Sequence, residues 1–366
     1  MHIVHLIARL NDGGPARVVR DLASAAQAAG HQVTVLSGQV GPDEVDMTAA
    51  LQDAGISVEI LPRLSSTVAP LADLTALLRC HQRLRQLAPD VLHTHTAKAG
   101  AIGRLVARAL GIPCLHSYHG HVLHGYFRPG INTAVRLIER ALASTGHCHS
   151  LTPSLCTELS QRHRIGAAHR WHCLPVPVAA VEPSAAGWHA QLVPDRPVVT
   201  FLGRLAPVKD IDLWLATLTA LNQLRPVQGL ICGDGPLRQH AEQRAAQCGL
   251  PIHVAGHVPA AEAFGATDLL LMSSRNEGMP LVAVEAASAG IPVVAPAVGG
   301  LVDCARWGLV KAVDRNPGAL AQRCAMVLGT TPEPCLLRQR AAQFAPERVV
   351  PRYLELYTRL CKTSAP

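Results

Sequence analysis

Short β-branched runs closed by Gly or Pro alternate with Ala-, Leu- and Arg-rich stretches of helical length, and the alternation occurs twice in the chain. The clearest runs are Gln32 to Leu36, Val91 to His93, Val198 to Leu202, Gln228 to Ile231 and Pro292 to Ala295. Strands separated by helices pair in parallel, because each helix returns the chain to the same end of the sheet. The expected fold is therefore α/β: two tandem doubly wound parallel sheets with helices on both faces. The first series runs from Ile3 to about Arg164 and the second from Val198 to about Leu328. Between them, Leu174-Pro175-Val176-Pro177-Val178 and Glu182-Pro183-Ser184-Ala185-Ala186-Gly187 read as the linker, since consecutive prolines and small residues extend neither sheet nor helix. This predicts domains at 1–178 and 179–345. A closing helix and tail follow at 346–366, with Val349, Tyr353, Leu356 and Leu360 at helical spacing.

Composition agrees with two cores. A chain of 366 residues with 49% hydrophobic and 16% charged residues buries a large interior and lacks the signature of disorder. An aromatic share of 3% argues against a stacking platform for nucleic acid. The net charge of +7 is uneven, with 16 basic and 11 acidic residues before position 180, and 17 and 15 after it. Such an excess suits a phosphate-bearing ligand or an anionic membrane surface, and equally a solvated face of scattered arginines. The 11 cysteines contain no CxxC pair and read as buried reduced thiols. Met1 to Arg9 has no basic lead-in before an apolar stretch, so a cytoplasmic protein without a spanning helix is expected.

The chemistry should lie in the strand-to-helix loops, because ligands of open α/β sheets bind beyond the carboxyl ends of the strands. After Val198 to Leu202 come Gly203, Arg204 and, five residues later, Lys209, just before the helical Ile211-to-Leu221 stretch. Two cations near helix N-terminal amides suit a diphosphate, in the ground state and as a leaving group. Cys232-Gly233-Asp234-Gly235-Pro236 reads as a tight strand-to-helix turn, with Pro236 at the first helical position. The most informative segment runs from Asp268 to Gly300. A strand leads into a loop carrying Glu277, Gly278 permits close backbone approach, and Pro280 opens a helix whose first amides lack partners. Glu285 lies inside that helix among Val284, Ala286 and Ala287, where an unpaired buried carboxylate is costly; it can accept both hydroxyls of a ribose.

In this order the segments resemble the family 4 retaining glycosyltransferases of the two-Rossmann-domain (GT-B) type. In the second half the resemblance rests on Gly203-Arg204 with Lys209, Gly233 to Pro236, and Glu277 and Glu285 with Gly278, Pro280 and Gly299-Gly300. In the first half it rests on Gly13-Gly14, Gly30-His31-Gln32-Val33, His93-Thr94-His95-Thr96-Ala97-Lys98-Ala99-Gly100 and His119-Gly120-His121. The resemblance implies two Rossmann-like domains facing across a cleft, with the C-terminal helix returning toward the first. It implies that Arg204 and Lys209 hold the donor diphosphate, with Gly13 and Gly14 near it, and that Glu285 holds the ribose. It sets Glu277 and the amides of Gly278, Met279, Pro280 and Leu281 against the transferred sugar, and His119 beside it. Gly256 and His257 would border the base.

The implied reaction moves a hexose or N-acetylhexosamine from a nucleoside diphosphate sugar, a UDP-sugar by expectation, to a hydroxyl acceptor. It proceeds with retention, no metal and no further cofactor. The His93-to-Gly100 and Tyr118-to-Phe127 stretches resemble members that build exopolysaccharide and other surface glycans on lipid-linked acceptors. Peripheral contact with an anionic membrane at its inner face follows from that. A soluble acceptor is the alternative, with Lys98 meeting an acceptor phosphate. Within the fold, a nucleotide-sugar epimerase or phosphorylase stays open, as does a non-catalytic nucleotide-sugar binding protein. His93, His95, His116, His119, His121 and His124 can also be drawn as a metal site, but without a His-Glu-x-x-His helix or carboxylate cluster they read as strand-end and loop residues. Ser154, Ser273 and Ser274 lack the Gly-x-Ser-x-Gly setting of a serine hydrolase.

Overall fold

A computed structural model describes residues 1–363 except 42–43, 66–68, 121–128 and 332; the side chains of 129–131 and 363 are also outside the described set. The chain divides into two compact units, Met1–Pro177 with Pro346–Pro366, and Val178–Ala345.

The first unit holds a parallel sheet of seven strands: β1 (His2–Ile7), β2 (Gln32–Ser37), β3 (Ser57–Ile60), β4 (Val91–His95), β5 (Cys114–Tyr118), β6 (His147–Ser150) and β7 (Trp171–Cys173). Their spatial order is β3-β2-β1-β4-β5-β6-β7, so the direction of winding reverses between β1 and β4. That reversal opens a crevice at the carboxyl ends of these two strands. β4 and β5 are buried along their whole length, as expected of strands covered by helices on both faces. Val4, Leu6 and Leu92 pack there with Ala99, Ile102 and Val106 of the helix Ala97–Leu110. The closing helix Pro346–Thr363 belongs to this unit and buries Val349, Tyr353, Leu356, Tyr357 and Leu360.

The second unit has six parallel strands: β8 (Val198–Leu202), β9 (Gln228–Cys232), β10 (Ile252–Gly256), β11 (Leu269–Leu271), β12 (Val293–Pro296) and β13 (Lys311–Val313). Their order, β10-β9-β8-β11-β12-β13, puts the reversal between β8 and β11. Trp214, Leu215 and Leu218 of the helix Ile211–Leu224 fill the core against Val199, Phe201 and Ile231.

Several expectations need correction. His93 and His116 lie inside strands rather than at their ends, and His95 ends β4 as expected; all three are fully or almost fully buried, His119 follows β5, and His121 and His124 lie outside the described residues. Imidazoles can occupy a sheet interior when neutral and hydrogen-bonded to one another, which periodicity does not reveal. The 182–187 stretch is not a free linker. Ser184 N donates to Ala261 O at 2.9 Å, and Trp188 donates to Glu262 at 3.1 Å and stacks on His253, which ties the segment to the second unit. Pro236 lies in a turn, and the helix starts at Arg238, because Leu205 N binds Asp234 O at 2.8 Å and Leu237 N binds Leu205 O at 3.0 Å. The cysteines are all free thiols, but Cys173 and Cys335 are exposed and Cys156, Cys248 and Cys361 half-buried.

Candidate active site

The second unit gathers its polar residues where β8 and β11 diverge. β8 ends at Leu202 and the chain passes through Gly203 and the exposed Arg204 into a single 3-10 turn, Pro207–Lys209. Asp210 stops that turn in the left-handed region (φ 50°), and its carboxylate caps the next helix by accepting from Leu213 N at 3.4 Å. Asp210 is also paired with Arg275 at 3.1 Å and with Arg315. The neighbouring loop after β11 is equally constrained. Ser273 Oγ donates to Lys209 O at 2.7 Å and Arg275 N to Val208 O at 2.8 Å, joining the two loops.

These contacts bring Lys209 Nζ to 2.5 Å from Glu277 Oε1, which also accepts from Ser274 Oγ at 2.6 Å. The Glu277 main chain is held as firmly: its carbonyl accepts from Gly300 N at 2.9 Å. Gly299 sits at φ +49°, and a Cβ there would lie 2.2 Å from the same carbonyl oxygen, so only glycine fits behind this loop. Gly278 is half-buried and Met279 and Pro280 buried; the helix begins at Leu281, its positive dipole end at the loop. Glu285 lies one turn into the helix and is half-buried, more accessible than its apolar neighbours suggest. At the far side of β9, Gly233 N donates to Gly256 O at 2.6 Å, which brings Gly256 and the exposed His257 to the Gly203–Gly233 corner.

Sequence reasoning missed the Asp210, Arg275 and Arg315 cluster. Asp210 carries a detectable signal, an Asp directly before a helical run, but its pairing with a residue 105 positions away does not.

The first unit presents a different chemistry at its reversal point. Gly13 is the N-cap and Gly14 the first residue of the helix Gly14–Ala28, so both supply main chain at a helix N-terminus beyond β1. Thr96 (φ 66°) leads from β4 into the helix Ala97–Leu110, whose Gly100 is required because a Cβ would lie 2.2 Å from His116 Cε1. Lys98 Nζ is ion-paired with Asp73 and lies 3.4 Å from Ser65 Oγ, so its charge is already partly compensated. His119 follows β5 and lines a cavity of about 200 Å³ with Thr96, Ala97, Gly120 and Glu139. Its Nε2 is 2.9 Å from His95 Nδ1, and burial lowers its pKa to about 4, so the ring is neutral at physiological pH.

Ring nitrogens of His5, His93 and His95 lie within 4.8 Å of one another, close enough to meet at one metal ion. Most of these nitrogens are already engaged. His93 is bonded to Tyr357 and Ser117, each at 2.6 Å, and His95 to His119 at 2.9 Å and to His5 at 3.1 Å. Of the six ring nitrogens of these three histidines, only His5 Nε2 lacks a hydrogen-bond partner among the described residues. The arrangement is that of a hydrogen-bonded network of neutral rings.

Residues 13–177 match the family described as glycosyl transferase 4-like domain, and residues 196–330 the family described as glycosyl transferases group 1. A GDP-mannose-dependent alpha-mannosyltransferase of Mycobacterium tuberculosis is 31% identical over 317 residues, spanning 80% of this chain and 79% of that one. A D-inositol 3-phosphate glycosyltransferase of Salinispora arenicola is 28% identical, spanning 73% and 68%. The solved structure of Anabaena HepE in complex with UDP and glucose superposes with a TM-score of 0.81 over 98% of this chain and 100% of that one, at 18% identity, a likeness of fold. With two parallel sheets of this order and both family matches in place, the chain belongs to the family 4 glycosyltransferases of the GT-B type.

Proposed function

We propose that this glycosyltransferase moves a hexosyl group from a nucleoside diphosphate hexose to a hydroxyl acceptor with retention of anomeric configuration. The observation that carries the reading is the Lys209–Glu277 pair at the β8/β11 reversal, a cation and a carboxylate fixed on adjacent loops beside a helix N-terminus. In this assignment Arg204 and Lys209 neutralise the donor diphosphate and stabilise the charge that grows on it as the glycosidic bond breaks. Glu277 and the amides of Gly278 to Leu281 orient the transferred sugar, and Glu285 accepts the ribose hydroxyls. Gly256 and His257 flank the base. In the first unit, Gly13 and Gly14 offer helix N-terminal amides to a substrate phosphate, and His119 hydrogen-bonds a substrate hydroxyl. The leaving diphosphate takes the acceptor proton.

The name of the mycobacterial relative favours GDP-mannose as donor over the UDP-sugar first expected. The first unit contains twenty Lys and Arg against thirteen Asp and Glu, and the second thirteen against thirteen, so the whole +7 resides in the unit assigned to the acceptor. That excess supports an anionic acceptor, a lipid-linked saccharide at a membrane surface or a soluble sugar or polyol phosphate. Among the described residues no helix is long and apolar enough to cross a membrane.

Thermal denaturation with GDP, UDP, ADP and their hexose conjugates tests the donor site, since a ligand at a hundred times its Kd stabilises the native state by about 2.7 kcal/mol. One nucleotide family should raise Tm in the wild type and lose that effect in Arg204→Ala and Lys209→Ala. A shift that survives both substitutions would place the diphosphate elsewhere.

A further inference from the structure

We propose that two buried histidines, His95 and His5, act as positioning residues that fix which ring nitrogen of His119 carries the proton. The inference rests on the assignment of His119 to a substrate hydroxyl. His119 Nε2 lies 2.9 Å from His95 Nδ1, and His95 Nε2 lies 3.1 Å from His5 Nδ1. The row ends at His5 Nε2, fully buried and without a hydrogen-bond partner among the described residues.

Burial keeps the three rings neutral near pH 7, so each carries one proton. The two contacts between them can then be filled in only two ways. Directed inward, His119 Nε2–H donates to His95 Nδ1 and His95 Nε2–H donates to His5 Nδ1, which leaves the proton of His5 on its buried, partnerless Nε2. Directed outward, His5 Nδ1–H donates to His95 Nε2 and His95 Nδ1–H donates to His119 Nε2, and the row ends in a bare lone pair. An orphaned buried N–H is the rarer and costlier ending. The outward direction is therefore the stable one.

Its consequence appears at the other end. His119, with Nε2 occupied as an acceptor, carries its proton on Nδ1. It offers an N–H donor to a sugar hydroxyl or to charge growing in the transition state. The inward direction would instead offer a lone pair. His93 does not compete for these contacts, because Tyr357 and Ser117 occupy its nitrogens.

The test reads the tautomer directly. In the protein labelled with 15N-histidine, with His119 assigned by the His119→Gln variant, long-range 15N–1H correlation should show His119 protonated at Nδ1 and pyridine-like at Nε2. His95→Asp places a carboxylate oxygen, an obligate acceptor, near the position of Nδ1 and should invert the tautomer to Nε2–H. With the lost donor, kcat should fall on the order of 10²-fold while donor Kd changes little. Wild-type His119 protonated at Nε2 would overturn the inference even if His95→Asp fails to fold. So would an inverted tautomer that leaves kcat unchanged. If no nucleotide binds, the proposed donor site fails, and the NMR result still decides the tautomer.

Discussion

Lowering the pH from 7 should unfold the first unit cooperatively, with an expected midpoint at about pH 5 to 5.5. His5, His93, His95, His116 and His149 are each no more than 2% exposed. Burial lowers the pKa of all five, to about 4 at His5 and about 3 at His149. In the unfolded chain each titrates near its ordinary value of 6.5. Between the folded and unfolded values the unfolded state binds more protons. The stability associated with these groups is therefore complete above about 6.5 and is lost as pH falls through that value toward 4. Each proton changes stability by about 1.4 kcal/mol per pH unit, so the five together approach 7 kcal/mol per unit, against a typical total of about 5–15. Fluorescence of Trp171, in the first unit, and far-UV circular dichroism on acid titration should show the loss. Undiminished denaturant stability at pH 5 would show that the native network accepts protons and that neutral rings are not what it requires.

Glu139→Gln should destabilise the protein by about 3–5 kcal/mol, the cost of leaving a buried charge unpaired. Arg104 is 1% exposed, and its guanidinium is held by Glu139 at 2.9 Å, Tyr118 Oη at 3.2 Å and Gly100 O at 2.9 Å. Tyr118 donates in turn to the same Glu139 oxygen at 2.8 Å. Gln keeps the shape and removes the only full negative charge that these bonds offer the guanidinium. Tm should fall by about 6–20 °C. Replacing both partners by apolar residues, Arg104→Met with Glu139→Leu, should restore much of the loss, because no desolvated charge remains. A loss below about 1 kcal/mol for Glu139→Gln would mean that the pair is hydrated like a surface ion pair.

Where the sequence was legible, burial on both faces had left a plain apolar signal. β8 and β9 read directly because Val198 to Leu202 and Gln228 to Cys232 sit under helices. β5 and β6, Cys114–Tyr118 and His147–Ser150, are as interior but spell Cys-Leu-His-Ser-Tyr and His-Cys-His-Ser; their polar groups are satisfied by partners on other strands, such as Ser117 by His93 and His149. No local pattern encodes that. β3 and β13 are short edge strands, half-exposed, with little to distinguish them from loops. The candidate site divides the same way. Lys209 and Glu277 could each be placed in a strand-end loop, but their 2.5 Å contact depends on β8 and β11 being neighbours, and sheet order is a property of the folded unit. The unit boundary behaves likewise. Prolines mark it near 177, whereas the fastening of 184–189 to Ala261 and Glu262 arises only in three dimensions.

The most direct measurement is the turnover of GDP-mannose and UDP-hexoses by wild type and Glu277→Gln, with nucleoside diphosphate release and donor Kd followed on the same samples across lipid-linked and soluble acceptors. The wild type should release nucleoside diphosphate only with an acceptor present. If Glu277 orients the transferred sugar as proposed, Glu277→Gln should lower kcat by about 10²–10³ and leave donor affinity within a few-fold, since the interaction lost is one needed chiefly in the transition state. Undiminished kcat in Glu277→Gln would contradict that role.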